Sequence, residues 1–301
     1  MYYAFILKIK NLVEKLIPVN TLLYRYWHFL KMKLKAHQRL KPRKLLRFDI
    51  HLTDHCNLNC KGCEHFSVIA EEKFLNIDIF KKDCERLSQL TNGCIDNIML
   101  MGGEPLLHPQ ISQIVKITRQ YFPVGIIKII TNGILLLKQK SDFWQSCADN
   151  EIGISITKYP IKIDFDTIKK TAEKYNVNLE YYSNSDKEEK TMYRVPIDIN
   201  GKQNIKKSFK SCFRANQCIQ LQDGKLYTCQ TVPYIDYFNK RFKQNLKVSN
   251  KDYIDIYKAK NIEEILIFLS KPIPFCRYCD INKTVFGLEW GISKKDISEW
   301  T

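Results

Sequence analysis

Cys56, Cys60 and Cys63 stand three and then two residues apart, just after the β-rich run Leu46 to Thr53. Three thiols on so short a loop can ligate one metal centre while leaving a coordination position without a protein ligand. Iron-sulfur clusters normally take four cysteines, so such a loop implies a distant fourth ligand or an iron reserved for an exogenous one. Zinc favours two separated ligand pairs and a closed shell of four. A disulfide fits neither the odd count in the loop nor a chain in which no export signal is read. Spacing alone leaves cluster and zinc both open, with the cluster modestly ahead.

Length and charge narrow the frame. A chain of 301 residues with 45% hydrophobic content can build one large α/β domain with a small appendage. The net charge is +16, and most of it lies at one end. Residues 1–45 hold eleven Lys or Arg against the single acid Glu14, interleaved with aromatic and aliphatic side chains such as Tyr24, Tyr26, Trp27 and Phe29. No apolar run there approaches the roughly 20 residues that span a bilayer. The pattern fits either an amphipathic helix at a membrane surface, broken near Pro18, or a terminal helix packed on the domain with a solvated basic face. A nucleic-acid arm fits less well because bulky aliphatics outnumber polar base-reading side chains.

Beyond residue 45 the pattern alternates strands and helices. Strand-like runs at 46–53, 98–101, 125–131, 151–157 and 178–182 are separated by helical spacings at 78–91, from Pro109, at 139–147 and at 166–175. Such alternation with short links predicts parallel βαβ units, hence a doubly wound sheet or a partial barrel. The cysteine loop, Gly102-Gly103-Glu104-Pro105, Thr131-Asn132-Gly133 and Ser155-Ile156-Thr157 all fall at carboxyl ends of successive strands, where parallel architectures bind ligands. Cys84, Cys94 and Cys147 lie in apolar stretches and read as small core residues. Residues 184–211 are polar and Lys-rich and read as a linker.

The cysteine loop, Gly102-Gly103-Glu104-Pro105 and Thr131-Asn132-Gly133, in that order, resemble the radical S-adenosylmethionine (SAM) enzymes, over roughly residues 46–183. The resemblance implies a partial (β/α)6 TIM-type barrel. Cys56, Cys60 and Cys63 would hold a 4Fe-4S cluster whose fourth iron chelates the amino and carboxylate groups of SAM, and reductive cleavage would yield a 5'-deoxyadenosyl radical. Gly102 and Gly103 would let the backbone approach the methionine moiety, and Glu104 would accept from its ammonium. Thr131 and Asn132 belong to the same cofactor face, and Ser155 and Thr157 would meet the methionine carboxylate or the ribose. Relatives often carry an aromatic residue just before the third cysteine, where this chain has Gly62. The stacking face for adenine is therefore expected from His65 or Phe66.

A second cysteine group follows: Cys212, Cys218, Cys229, then Cys276 and Cys279. Asp223-Gly224 between two apolar runs is a two-residue hairpin signal that brings the hairpin ends together. Four thiols from the hairpin and the distant Cys-x-x-Cys would close a shell, and spacing permits zinc as well as a cluster. The pattern resembles the SPASM/twitch-like auxiliary domain of radical enzymes, which implies residues 212–301 as a second domain with an auxiliary 4Fe-4S cluster on Cys212, Cys229, Cys276 and Cys279. Cys218 is then surplus: it replaces Cys212 as a ligand, packs as a core thiol, or donates a hydrogen atom to a substrate radical.

The resemblance implies a cytoplasmic oxidoreductase or epimerase, peripheral at the membrane if residues 1–45 dock there, with an external reductant of flavodoxin or ferredoxin type and no nucleic-acid partner. Its substrate would be a sugar or sugar-like alcohol, free or lipid-linked or nucleotide-linked, as in surface-polysaccharide synthesis. A peptide-modifying maturase and a non-catalytic zinc-binding protein are the alternatives.

Overall fold

The computed structural model describes residues 42–182 and 191–301. Most of the basic segment 1–45, and the start of the stretch read as a linker, lie outside these residues.

The strands β1 (Arg47–Thr53), β2 (Asn97–Gly102), β3 (Ile126–Thr131), β4 (Ile152–Ile156) and β5 (Leu179–Tyr181) form successive parallel pairs. Each arises where the sequence concentrates Ile, Leu and Met, residues that suit a pleated surface with a buried face. The helices α1 (Ile77–Thr91), α2 (Ile111–Tyr121), α3 (Ser141–Asp149) and α4 (Phe165–Lys174) connect them. Asn76 caps α1 by accepting from the amides of Asp78 and Ile79, and Asn92 ends it in the left-handed region at φ 52°. Helix α2 begins at Ile111 rather than at Pro109, because His108 closes a 3-10 turn over Pro105–Leu107 and its ring nitrogen takes the amide of Gln110.

The remaining elements are β6 (Thr191–Arg194), α5 (Ile205–Ser211), β7 (Gln220–Gln222), β8 (Lys225–Tyr227), α6 (Thr231–Phe242), β9 (Tyr253–Asp255), α7 (Ile262–Leu269) and β10 (Val285–Glu289). The described part of the expected linker is therefore structured: β6 pairs antiparallel with β10, and α5 ends at Cys212. Asp223 and Gly224 both take positive φ, 47° and 72°, and close the β7–β8 hairpin as the sequence predicts. Strand β7 pairs in parallel with β1 through Asp49 and Gln220. The main sheet thus runs β5-β4-β3-β2-β1-β7-β8-β9, and the C-terminal part extends the sheet of the core. Order, parallel pairing and helical crossovers are those of a partial TIM-type barrel.

Alternation along the strands separates two faces. Phe48, Ile50 and Leu52 of β1, Ile98 and Leu100 of β2, Ile127 and Ile129 of β3 and Ile154 and Ile156 of β4 pack under the helices in one core. Full burial of each such side chain contributes about 1.5–3 kcal/mol. The opposite face carries Arg47, Asp49, His51, Lys128, Ser155 and Glu180 beside Met99, Met101 and Ile130, so the barrel interior mixes polar and apolar groups. A second core, with Phe66, Tyr234, Phe238, Phe275 and Trp300, closes the other side. Cys84 and Cys147 are fully buried as expected, whereas Cys94 is exposed: it lies in the turn after α1, its Sγ 3.3 Å from the Asn92 carbonyl.

Candidate active site

The cysteine loop emerges from the carboxyl end of β1, and its three thiols line one cavity with Gly102, Gly103, Thr131, Asn132 and Thr157. Four strand ends are laced together beneath it. The Thr53 hydroxyl donates to the Glu104 carbonyl at 2.9 Å, and the Thr157 amide donates to the Thr131 carbonyl at 2.8 Å. The Asn132 amide group donates to Asn57 Oδ1 at 2.8 Å. A Cβ on Gly103 would collide with the His55 carbonyl, and one on Gly102 with that of Thr53. The glycine pair is therefore required by the packing of its own loop against the cysteine loop, and it also leaves bare backbone facing the cavity.

Glu104 does not line that cavity. Its Oε1 accepts from the Thr131 hydroxyl at 2.7 Å and the Leu106 amide at 3.1 Å, and its Oε2 from the Asn132 amide at 3.0 Å. The carboxyl expected to meet a ligand ammonium is engaged in a clamp between two loops. Burial lifts this carboxyl to about 7 against those three donors. Phe66 also departs from expectation: it is buried in the second core, 5.8 Å from the Phe238 ring, and His65 lines the cavity instead. His65 Nδ1 lies 2.5 Å from His51 Nε2, and burial holds both imidazoles below their ordinary range. Ser155 is buried with its hydroxyl unpaired among the described residues, while Thr157 reaches the cavity.

Sequence reasoning missed what holds the cysteine loop. Residues 290–300 wrap it: Lys61 donates its amide to the Gly291 carbonyl at 2.8 Å, and Ser293 donates to that of Asn59 at 2.9 Å. The Trp290 indole donates to Cys60 Sγ at 3.1 Å, and the Trp300 indole to the Cys63 carbonyl at 2.8 Å. Gly62 takes φ +64°, donates its amide to Glu299 Oε2 at 3.1 Å, and would place a Cβ 2.9 Å from the Glu299 carbonyl. The position unexplained by sequence is thus where the C-terminal segment presses closest. Two of the four tryptophans of the chain within its last twelve residues were the available signal.

The second cysteine group divides. Cys212 caps α5, Cys276 lies within the 3-10 turn Pro274–Tyr278 and Cys279 ends it, and the Ser208 hydroxyl of α5 donates to the Cys279 carbonyl at 3.1 Å. Burial pushes Cys229 up to about 11 with Cys212 adding to it, and Cys279 is raised by burial, then by Cys276, Cys229 and Cys212. These four lie together. Cys218 does not join them: it lines the cavity, half-buried, its thiol pushed up to about 12 by desolvation, with Asp49 and Arg47 as its foremost charged neighbours. Among the described residues no three His, Cys, Asp or Glu side chains converge on a single ion position. A cluster asks less, since it presents separate irons to separate thiolates.

Between the two groups runs a buried ion pair. Arg214 Nη2 lies 2.6 Å from Glu64 Oε1, at an angle outside hydrogen-bond geometry, and Gln230 donates to Glu64 Oε2 at 3.1 Å. Glu64 follows Cys63, Arg214 comes two residues after Cys212, and Gln230 follows Cys229.

The Radical SAM superfamily is the family whose model matches, over residues 50–205. The chain is 34% identical over 94 residues to an S-adenosylmethionine-dependent nucleotide dehydratase of Selenomonas ruminantium, covering 31% of this chain and 32% of that protein. It is 33% identical over 91 residues to a GTP 3',8-cyclase of Chlorobaculum tepidum, covering 30% of this chain and 26% of the other. The matched part spans about a third or less of these relatives. Among solved structures, BtrN in complex with AdoMet and 2-DOIA aligns with a TM-score of 0.48 and 18% identity over 78% of this chain and 92% of that one.

Proposed function

Because this chain belongs to the radical SAM superfamily, whose enzymes use a 4Fe-4S cluster and SAM, we propose that it takes a hydrogen atom from a carbon of a sugar or sugar-like alcohol, leading to oxidation or epimerisation. The observation that carries the reading is one cavity lined by Cys56, Cys60, Cys63, the Gly102-Gly103 backbone, Asn132 and Thr157. The donor set suits the group: three thiols for three irons, bare backbone at the glycine pair, and hydroxyl and amide groups at the next two strand ends. Bound there, cluster and cofactor would supply the 5'-deoxyadenosyl radical, given an electron from a flavodoxin-type or ferredoxin-type reductant.

The residues of the chain do the rest. The strand-end lacing holds Asn132 and Thr157 toward the cofactor, and Glu104 fixes the loops that carry them. Cys212, Cys229, Cys276 and Cys279 would hold an auxiliary cluster. Cys218, on the cavity wall and kept as a thiol by burial, suits delivery of a hydrogen atom to a substrate radical rather than ligation. The charge pattern of residues 1–45 suits approach to a lipid-linked substrate at a membrane surface.

Two measurements test this. Alanine at the four auxiliary cysteines should lower the iron content from about eight to about four per chain; unchanged iron would remove the auxiliary cluster. In deuterated water, epimerisation should place one deuterium on the product carbon, and Cys218→Ala should abolish it. Product without solvent deuterium would assign oxidation and dismiss the donor role.

A further inference from the structure

We propose that helix α5 and the 3-10 turn Pro274–Tyr278 form the docking face for an acidic one-electron carrier protein, so that electrons enter through the C-terminal thiol group and not at the loop of Cys56, Cys60 and Cys63. The proposal rests on reading Cys212, Cys229, Cys276 and Cys279 as ligands of an auxiliary cluster.

The face is cationic and unpaired. Helix α5 buries Ser208 and Phe209 and leaves Lys206, Lys207 and Lys210 exposed. Lys202 before the helix and Arg277 in the turn are exposed as well. The two segments are fastened together: the Gln203 amide donates to the Arg277 carbonyl at 3.1 Å, and the Ser208 hydroxyl to the Cys279 carbonyl at 3.1 Å. Lys283 shares a groove with Lys202. Two acids lie beside these six cations in the sequence, and both are engaged. Asp198 accepts from the amides of Asn200 and Lys202, and the buried Asp280 lies 3.5 Å from Lys283. Among the described residues Lys283 alone of the six has a carboxylate partner. Like charges gathered on one face repel one another, and an acidic partner removes that cost while speeding its own approach.

Depth indicates what the partner carries. Cys212 ends α5, Cys276 lies in the turn and Cys279 ends it, and all three are half-buried. The loop after β1 is covered instead: Cys60 is buried, and Trp290, Glu299 and Trp300 fasten residues 290–300 across it. A bonded route leads from one thiol group to the other. Gln230, next to Cys229, donates to Glu64 Oε2 at 3.1 Å, Arg214 lies 2.6 Å from Glu64 Oε1, and Glu64 follows Cys63. One electron passes along it; the carrier is oxidised by one, the cluster on Cys56, Cys60 and Cys63 is reduced by one, and no bond or proton moves.

The test uses the anaerobically reconstituted full chain with photoreduced flavodoxin as the acidic carrier, and stopped-flow bleaching at low salt reads iron-sulfur reduction. The triple variant Lys206→Glu, Lys207→Glu, Lys210→Glu should slow reduction about tenfold or more. The same charge change at Lys81, Lys82 and Lys116, exposed on α1 and α2, should not. Dithionite, which needs no docking face, should reduce both variants as fast as wild type. Alanine at the four C-terminal cysteines should slow flavodoxin, and not dithionite, in reducing the remaining cluster. Unslowed reduction of the α5 variant, equal slowing of the control, or unslowed reduction of the cysteine variant would each overturn the proposal. So would loss of binding to phosphatidylglycerol vesicles in the α5 variant with flavodoxin reduction unchanged, which assigns the face to a membrane. Wild type that forms no 5'-deoxyadenosine with dithionite and SAM sinks the radical reading; wild type that forms it, beside an α5 variant that flavodoxin reduces unhindered, sinks this face alone.

Discussion

The indole Nε1 of Trp290 donates to the Sγ of Cys60 across 3.1 Å, although 230 positions separate them in the chain. Hydrogen bonds to cysteine sulfur raise cluster potentials by favouring the more negative, reduced state. Trp290→Phe keeps the ring and removes the donor. It should retain iron while moving the midpoint potential of the cluster negative by tens of millivolts in an EPR-monitored titration. An unchanged potential would reduce the contact to packing.

Gly62 and Glu299 form the second fastening. Gly62→Ala would put a side chain in the left-handed region, costing about 1–2 kcal/mol, and press its Cβ on the Glu299 carbonyl. Reduced iron retention and a lower melting temperature are expected together. Glu299→Gln should reproduce part of the effect, since that carboxylate also accepts from Ser293 and Lys294. Normal iron loading in both variants would show that the C-terminal segment does not hold the loop.

Arg214→Met should destabilise the protein by about 3–5 kcal/mol, the typical result of leaving one partner of a buried pair uncompensated. Adding Glu64→Met should recover most of it. Denaturant titrations of the two single variants and the double variant give the coupling; additive losses would contradict a direct pair.

Glu104 makes a pH prediction. Its carboxyl is held at about 7 by burial, above the ordinary 4.5, so the folded state binds this proton more tightly than the unfolded chain. The stability associated with it is present below about pH 4.5 and is lost as pH rises toward 7, on the order of 1–3 kcal/mol. His51 and His65, held neutral by burial, act in the opposite sense. The readout is therefore the stability of wild type minus that of Glu104→Gln, which should fall from pH 4.5 to 7. A constant difference would place the carboxyl in its ordinary range.

Much of this was legible in sequence because it is local. Short β-rich runs mark β1 to β5, Asp223-Gly224 marks its hairpin, and the cysteine loop, Gly102-Gly103 and Thr131-Asn132 come together as their order implies. Chain separation hid the rest. Gly62 makes sense only against Glu299, 237 positions away. Phe66 reads as a free aromatic until Phe238 and Trp300 cover it, and Glu104 reads as ligand-facing until Thr131 and Asn132 of the neighbouring loop and Leu106 of its own turn donate to it. Cys218 could not be sorted from Cys212 by spacing, because only the β1–β7 pairing turns it toward Asp49 and away from the other four thiols.

The most direct measurement of the central claim is 5'-deoxyadenosine formation by the anaerobically reconstituted, reduced protein with SAM, set beside a variant with alanine at Cys56, Cys60 and Cys63. The account predicts product from wild type and none from the triple variant, which should still carry about four irons on its auxiliary site. Wild-type protein that holds iron yet yields no 5'-deoxyadenosine, or a triple variant that yields as much as wild type, would contradict it.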